Sequence, residues 1–233
     1  MKKPKIKLIF FDMDGTIFNN GLTDSYGHTA PSTWTILAKH LGKKALEEEE
    51  KTKEKWTNKE YRGYLDWMED TIRIHRKYKL NKDFFYKVIN SIPYFKGVKE
   101  TMKILKKRGI KFALVTGSFK ELADRVIRDL RFVHVFASCE YFWDKKGKLI
   151  SWNLLPCDYE GKVDFMRLVM EEHGLTINEC AFVGDGRNDI PLAQFVGTSI
   201  AFNGAKELQK ISTYSVNQPR GKEDFREILK YIL

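Results

Sequence analysis

Ile6, Leu8, Ile9, Phe10 and Phe11 form a nearly continuous apolar run that stops abruptly at Asp12. A run this short, rich in β-branched and aromatic residues, predicts a strand buried on both faces. Asp12 and Asp14 stand two residues apart, so an extended backbone turns both carboxylates to one side just past the strand's C-terminal end. Open parallel sheets bind their ligands at that edge. Gly15 lets the chain turn away, and Thr16 leaves a hydroxyl beside the acids.

Further on, the apolar spacing becomes helical. Trp34, Leu37, Ala38 and Leu41 share one face, as do Tyr61, Tyr64, Leu65, Met68 and Ile72, and then Phe84, Phe85, Val88, Ile89 and Ile92 ahead of Pro93. Between them Glu47 to Lys55 is a charge run, read as a solvated helical face or hinge. Val98, Met102 and Leu105 mark an amphipathic helix from Gly97 to Arg108, closed by Gly109. Ile110 to Val115 predicts a second buried strand ending in Thr116-Gly117-Ser118. A parallel crossover needs only about a dozen residues, which the helix from Gly97 supplies. The helical module before it is therefore an insertion, placed where it can close over the acidic pair as a lid.

Leu122 to Leu130 reads as a helix, Val133 to Ser138 as a third strand, and Tyr141 to Trp152 as a hairpin turning at Lys146-Gly147. Lys162 stands just inside a helix that runs to about His173 and stops at Gly174. Cys180 to Val183 is a fourth strand, ending in Gly184-Asp185-Gly186-Arg187-Asn188-Asp189, and Thr198 to Phe202 a fifth. Phe225, Ile228, Leu229 and Ile232 mark a C-terminal helix. The fold class expected is α/β: a Rossmann-like, mostly parallel sheet flanked by helices, formed by residues 1–16 and 93–233, with an inserted helical module at 17–92. In such a sheet Asp12, Asp14, Thr116, Lys162, Asp185 and Asp189 converge on one edge. Several carboxylates in one crevice call for a hard divalent cation, and oxygen ligands point to Mg²⁺. Acids, metal, a Lys and a Thr hydroxyl together suit phosphoryl chemistry.

Composition narrows this only slightly. Over 233 residues, 42% hydrophobic and 31% charged residues describe a globular protein with a sizeable core. The basic N-terminus is followed by an apolar run that Asp12 breaks, too short for a secretory segment or a bilayer span, so a cytoplasmic location and no membrane partner are expected. Three cysteines without paired spacing imply neither disulfides nor zinc, and the five histidines are scattered without ligand spacing. The formal charge of +10 favours anionic partners. The charge alone does not separate a nucleic acid from a small phosphate and is read first as a Lys- and Glu-rich solvated surface. With no nucleic-acid signature, no nucleic-acid partner is expected, and the converging acids and Lys make a small phosphorylated molecule the expected partner, while oligomeric state stays open.

Asp12-Met13-Asp14-Gly15-Thr16, Thr116 after its apolar run, Lys162, and Gly184 to Asp189 resemble the four ordered motifs of the haloacid dehalogenase superfamily of phosphatases, and the insertion resembles that superfamily's helical C1 cap. Val115 to Phe119, Gly161-Lys162, the Gly-Asp-Gly-x-Asn-Asp loop and the ending Phe225 to Lys230 are similar to its phosphoserine phosphatase branch. The resemblance implies that Asp12 attacks phosphorus and becomes an aspartyl phosphate, and that Asp14 serves as acid and then base. It further implies that Asp12, Asp185 and the Asp14 carbonyl hold Mg²⁺ with Asp189 beside them, and that Thr116, Gly117, Lys162 and Asn188 bind the phosphoryl group. Arg73 falls near the place of the branch's cap arginine, with Arg62 and Arg76 as competitors. That branch places a Glu after a pair of Asn residues, whereas Asn19-Asn20 is here followed by Gly21, with Asp24 as a distant substitute. The expected activity is Mg²⁺-dependent phosphomonoester hydrolysis, phosphoserine leading among substrates. A phosphotransferase or mutase, or a phosphatase of sugar or nucleotide phosphates, is the alternative.

Overall fold

The computed structural model describes residues 5–19 and 32–233. Its first strand, β1 (Leu8–Phe11), is wholly buried because it lies at the middle of the sheet. The others are β2 (Lys111–Phe119), β3 (His134–Trp143), β4 (Leu149–Leu154), β5 (Cys180–Gly184), β6 (Thr198–Phe202) and β7 (Tyr214–Val216), in the order β4-β3-β2-β1-β5-β6-β7. Every pairing is parallel except β3 with β4. The unbroken apolar run follows from this position, since alternate side chains of β1 serve separate cores. Ile9 and Phe11 pack with Phe112, Leu114 and Val183, whereas Leu8 and Phe10 pack with Ala113, Val115 and Phe182.

The helices are α1 (Thr33–Leu41), α2 (Lys43–Thr57), α3 (Tyr64–Lys77), α4 (Lys82–Ser91), α5 (Val98–Lys107), α6 (Lys120–Leu130), α7 (Gly161–Glu172), α8 (Ile190–Phe195), α9 (Lys206–Ile211) and α10 (Leu229–Ile232). The first four follow β1 and precede α5, within the stretch that the sequence reads as an insertion. Ser32 and Asn81 start α1 and α4 by accepting the Thr35 and Phe84 amides. The chain leaves and re-enters the core side by side, where the Asn19 amide donates to the Pro93 carbonyl at 2.8 Å and the Phe95 amide to Ile17 at 3.0 Å. Ile17 and Phe18 are thus buried in a ribbon shared with the core.

Three readings change. The predicted third strand and the first arm of the hairpin are one strand, β3, and the turn spans Asp144 to Lys148. β7 was not expected, because three residues carry no measurable period. The charge run is not simply solvated: Glu49 is 2% exposed, paired with Lys53 one helical turn later at 3.0 Å. A buried carboxylate needs such a partner.

The insertion packs on the core through aromatic rings. Trp34 and Phe85 meet Phe119 with centroids 4.2 and 5.4 Å apart, and His75 Nδ1 lies 2.8 Å from the Tyr141 hydroxyl. The hairpin braces it from outside: the Lys82 amide donates to Gly147 at 2.9 Å, and Trp152 Nε1 to Glu69 at 2.9 Å. Among the described residues, no helix is long and apolar enough to cross a membrane.

Candidate active site

The strands of the central sheet deliver their ends to one crevice. Asp12, directly after β1, has its amide fixed to the Val183 carbonyl of β5 at 3.0 Å. Lys162, in the first turn of α7, is fully buried, and its ammonium donates to Asp12 Oδ1 and Asp189 Oδ1, each at 2.6 Å, with Asp158 Oδ1 3.5 Å away. The second oxygen of Asp189 accepts the Asp185 and Gly186 amides at 3.0 and 2.9 Å. Asp189 therefore ties the loop after β5 to Lys162 with both oxygens. Asp185 is held by the Thr16 hydroxyl at 2.8 Å. Gly15, at φ +80°, is required twice over: a left-handed backbone suits it, and a Cβ there would collide with the Asp185 carboxylate.

Asp14 does not join the cluster. Its carboxylate accepts the Thr33 amide and hydroxyl, both at 2.7 Å, so the first residue of α1 grips it from the insertion. Thr116, 1% exposed, accepts the Ser118 amide at 3.2 Å and lines the cavity beside Gly117. The Gly117 carbonyl accepts Trp34 Nε1 at 2.9 Å and the Tyr64 hydroxyl at 3.1 Å, which fastens two insertion helices to the irregular last residues of β2. Asn188 donates to Asp158 at 2.7 Å. Asp158 is the site residue that the motifs passed over. Its i−4 spacing to Lys162 is the only local signal, and that spacing is common on any helix.

Burial pushes the Asp12 carboxyl well above the ordinary carboxylate range, with Lys162 pulling against it. Burial does the same to Asp185, reinforced by Asp12 and Asp189. On Lys162 burial opposes the charge, but Asp12, Asp189 and Asp158 outweigh it and keep the ammonium protonated. One buried cation thus faces a surplus of buried carboxylates. Oxygens of Asp12, Asp185 and Asp189 all lie within 4.8 Å of one another. An oxygen-only set with excess negative charge fits a hard divalent cation.

The crevice opens into a cavity of about 690 Å³ between the sheet edge and the insertion. Its far wall is aromatic: Trp56 stacks on Trp67 at 5.0 Å and leans on Tyr159 at 5.2 Å, bringing α2 and α3 against the loop before α7. The Glu49–Lys53 pair also faces the cavity. Arg73 lies elsewhere, its side chain 71% exposed and 3.6 Å from Asp70, whereas Arg62 reaches the cavity rim. Arg76 lies over the Trp152 ring at 5.4 Å. Asn20, Gly21 and Asp24 lie outside the described residues.

The family model for haloacid dehalogenase-like hydrolases matches residues 6–197. The phosphoserine phosphatase of Methanocaldococcus jannaschii is 31% identical over the full length of both chains, and that of Streptococcus thermophilus is 26% identical over 91% of each. A solved structure titled a phospho-aspartyl intermediate analogue of phosphoserine phosphatase superposes with a TM-score of 0.79 at 26% identity, covering 98% of this chain and all of that one. A substrate-bound phosphoserine phosphatase complex gives the same score at 25% identity, over 98% of this chain and 99% of the other. The ordered motifs, the sheet that gathers them and these end-to-end matches converge, and the chain belongs to the haloacid dehalogenase-like hydrolase family.

Proposed function

We propose that this hydrolase is a Mg²⁺-dependent phosphomonoesterase that works through an aspartyl phosphate on Asp12, acting in the cytoplasm on a small phosphorylated metabolite, phosphoserine the leading candidate. The observation that carries the reading is Asp12 at the end of β1, locked to a fully buried Lys162 at 2.6 Å among excess carboxylates. A bound Mg²⁺, held by Asp12 and Asp185, supplies charge neutralisation between nucleophile and phosphate.

The chain's own residues do the rest. A carboxylate oxygen of Asp12 attacks phosphorus, and the ester P–O bond breaks as Asp14 passes its proton to the leaving alkoxide. Asp14 then takes a proton from water, whose oxygen attacks phosphorus, releasing phosphate and restoring Asp12. Thr33 orients Asp14 for both transfers through its two 2.7 Å bonds. Lys162, Thr116, Gly117 and Asn188 hold the phosphoryl oxygens in line. Burial raises the Asp14 carboxyl, opposed by its Thr33 bonds, which suits a proton carrier.

For the leaving group, the named relatives support phosphoserine. Glu49 and Lys53 offer the charges that an amino acid's ammonium and carboxylate would need, from the cavity wall. Three buried free thiols suit a reducing compartment. The unit 17–92 acts as a lid hinged on the paired crossings at 17–19 and 93–95. Hydrogen exchange there is expected to slow with Mg²⁺ and a phosphate analogue, and unchanged rates would make the unit a fixed wall.

The deciding experiment is phosphate release from an aryl phosphate and from a metabolite panel. Activity requires Mg²⁺ and is abolished by EDTA, and Asp12→Asn loses on the order of 10⁴-fold or more in kcat. Wild-type activity in Asp12→Asn sinks the covalent mechanism. Turnover of sugar or nucleotide phosphates without phosphoserine sinks the amino-acid substrate alone.

A further inference from the structure

Two histidines with no shared spacing meet at the sheet's N-terminal edge, the pole opposite the cavity. His134 opens β3, and His173 directly follows α7. Their Nε2 atoms are 2.9 Å apart, and Glu172 Oε2 is 3.8 Å from His134 Nε2. One ligand atom from each of the three lies within 4.8 Å of the others. Two imidazole nitrogens at tetrahedral positions about one zinc ion stand about 3.3 Å apart, so a small side-chain adjustment admits an ion between them.

We propose that His134, Glu172 and His173 form a binding site for a transition-metal ion of the Zn²⁺ class, its fourth position taken by water, that staples β3 to the end of α7. Imidazole and carboxylate donors select such an ion, as the oxygen-only catalytic cluster selects Mg²⁺. The helix end favours it independently. α7 finishes in Glu171-Glu172 with no basic residue in its last turn, so two acids sit where the helix's terminal carbonyls already carry partial negative charge. A cation there offsets both.

Lys111 is the competitor. Its exposed ammonium lies 3.1 Å from His173 Nδ1 and can only donate, so with Lys111 in place His173 keeps its proton on Nε2 and donates it toward His134. Metal ligation through Nε2 moves that proton to Nδ1 and releases Lys111 into solvent. Burial, with Lys111 and His134 nearby, holds His173 below the usual histidine range, in the neutral form a metal needs. Lys162 is eleven residues back along α7, about 16 Å at 1.5 Å per residue, so occupancy here is separable from catalysis.

The test is titration of the full chain with ZnCl₂ in saturating Mg²⁺, read by calorimetry, melting temperature and histidine ¹⁵N shifts. One ion is expected to bind in about the micromolar range and to raise the melting temperature. His134→Ala/His173→Ala loses at least about tenfold in Zn²⁺ affinity with hydrolytic activity unchanged, and Glu172→Gln weakens binding less. Lys111→Ala tightens binding, an effect that a merely structural hydrogen-bond chain cannot produce. If the double variant does not fold, that tightening and the Nε2 shifts of the two histidines decide. Equal Zn²⁺ binding in the double variant, or no binding by wild type and Lys111→Ala at about 100 μM, overturns the proposal.

Discussion

The floor and the roof of the cavity are built on opposite principles. The floor is ionic: Lys162 lies between Asp12 and Asp189, and each acid is fixed by a strand-end amide or loop. The roof is largely aromatic, with Trp34, Trp56 and Trp67 packed on one another or on core rings, and with charge in the Glu49–Lys53 pair and, at the rim, Lys59 and Arg62. Buried charges are costly to rearrange, so the floor tolerates one arrangement, whereas stacked rings bound by non-directional contacts can be repacked. Under the proposed function, the chemistry sits on a rigid floor and substrate selectivity on a roof that can be repacked.

Breaking the floor gives the largest expected effect after loss of Asp12. Lys162→Met leaves Asp12 and Asp189 buried without their cation, at a cost of about 3–5 kcal/mol in denaturant unfolding alongside near-complete loss of activity. If stability is unchanged, the three groups are not the buried lattice described.

Glu121 sharpens the same contrast, being a half-buried acid without such a cation lattice. Its Oε1 accepts the Tyr141 amide at 3.1 Å while Oε2 is buried without a hydrogen-bond partner, and burial pushes its carboxyl up to about 7. The folded state thus keeps a proton that the unfolded chain gives up near 4.5. Stability from this group is complete below that pH and falls as pH rises through about 7, by about 3 kcal/mol. Glu121→Gln is expected to flatten that fall in melting temperature between about pH 4.5 and 8, and an unaltered slope refutes the assignment.

The roof gives the smallest effects. Lys53→Met and Glu49→Gln are expected to raise KM for phosphoserine by about tenfold with little change for an aryl phosphate, while Arg73→Ala stays within about twofold on both. A tenfold loss in Arg73→Ala instead would mean that α3 turns its outer face inward when substrate binds.

This division also explains what the sequence revealed. Asp12, Asp14, Thr116 and Asp185 were legible because acids or a hydroxyl just past a buried apolar run, with a glycine within three residues, are a local signal of a strand's working end. Lys162 was legible only through its resemblance. Thr33 was not legible, since its partner Asp14 lies 19 residues away, and Asp158 and Glu49 were passed over because their i,i+4 pairings with Lys162 and Lys53 look like those of any solvated helix. Arg73 shows the reverse: spacing singled it out, and its place on α3 leaves it in solvent beside Asp70. His134 and His173 met only because β3 and α7 share one end of the sheet.

The central position of β1 has a consequence for how the protein is made. Its two neighbours begin at Lys111 and Cys180, and the bonds that complete its acidic end span 150 and 169 residues. While the ribosome is still making the middle of the chain, Leu8 to Phe11 is a bare, sticky ribbon with neither edge paired, the kind of segment that nascent-chain chaperones capture. Asp12 is made 150 residues before Lys162 and 177 before Asp189, so no nascent chain that stops short of Asp189 holds the assembled cluster.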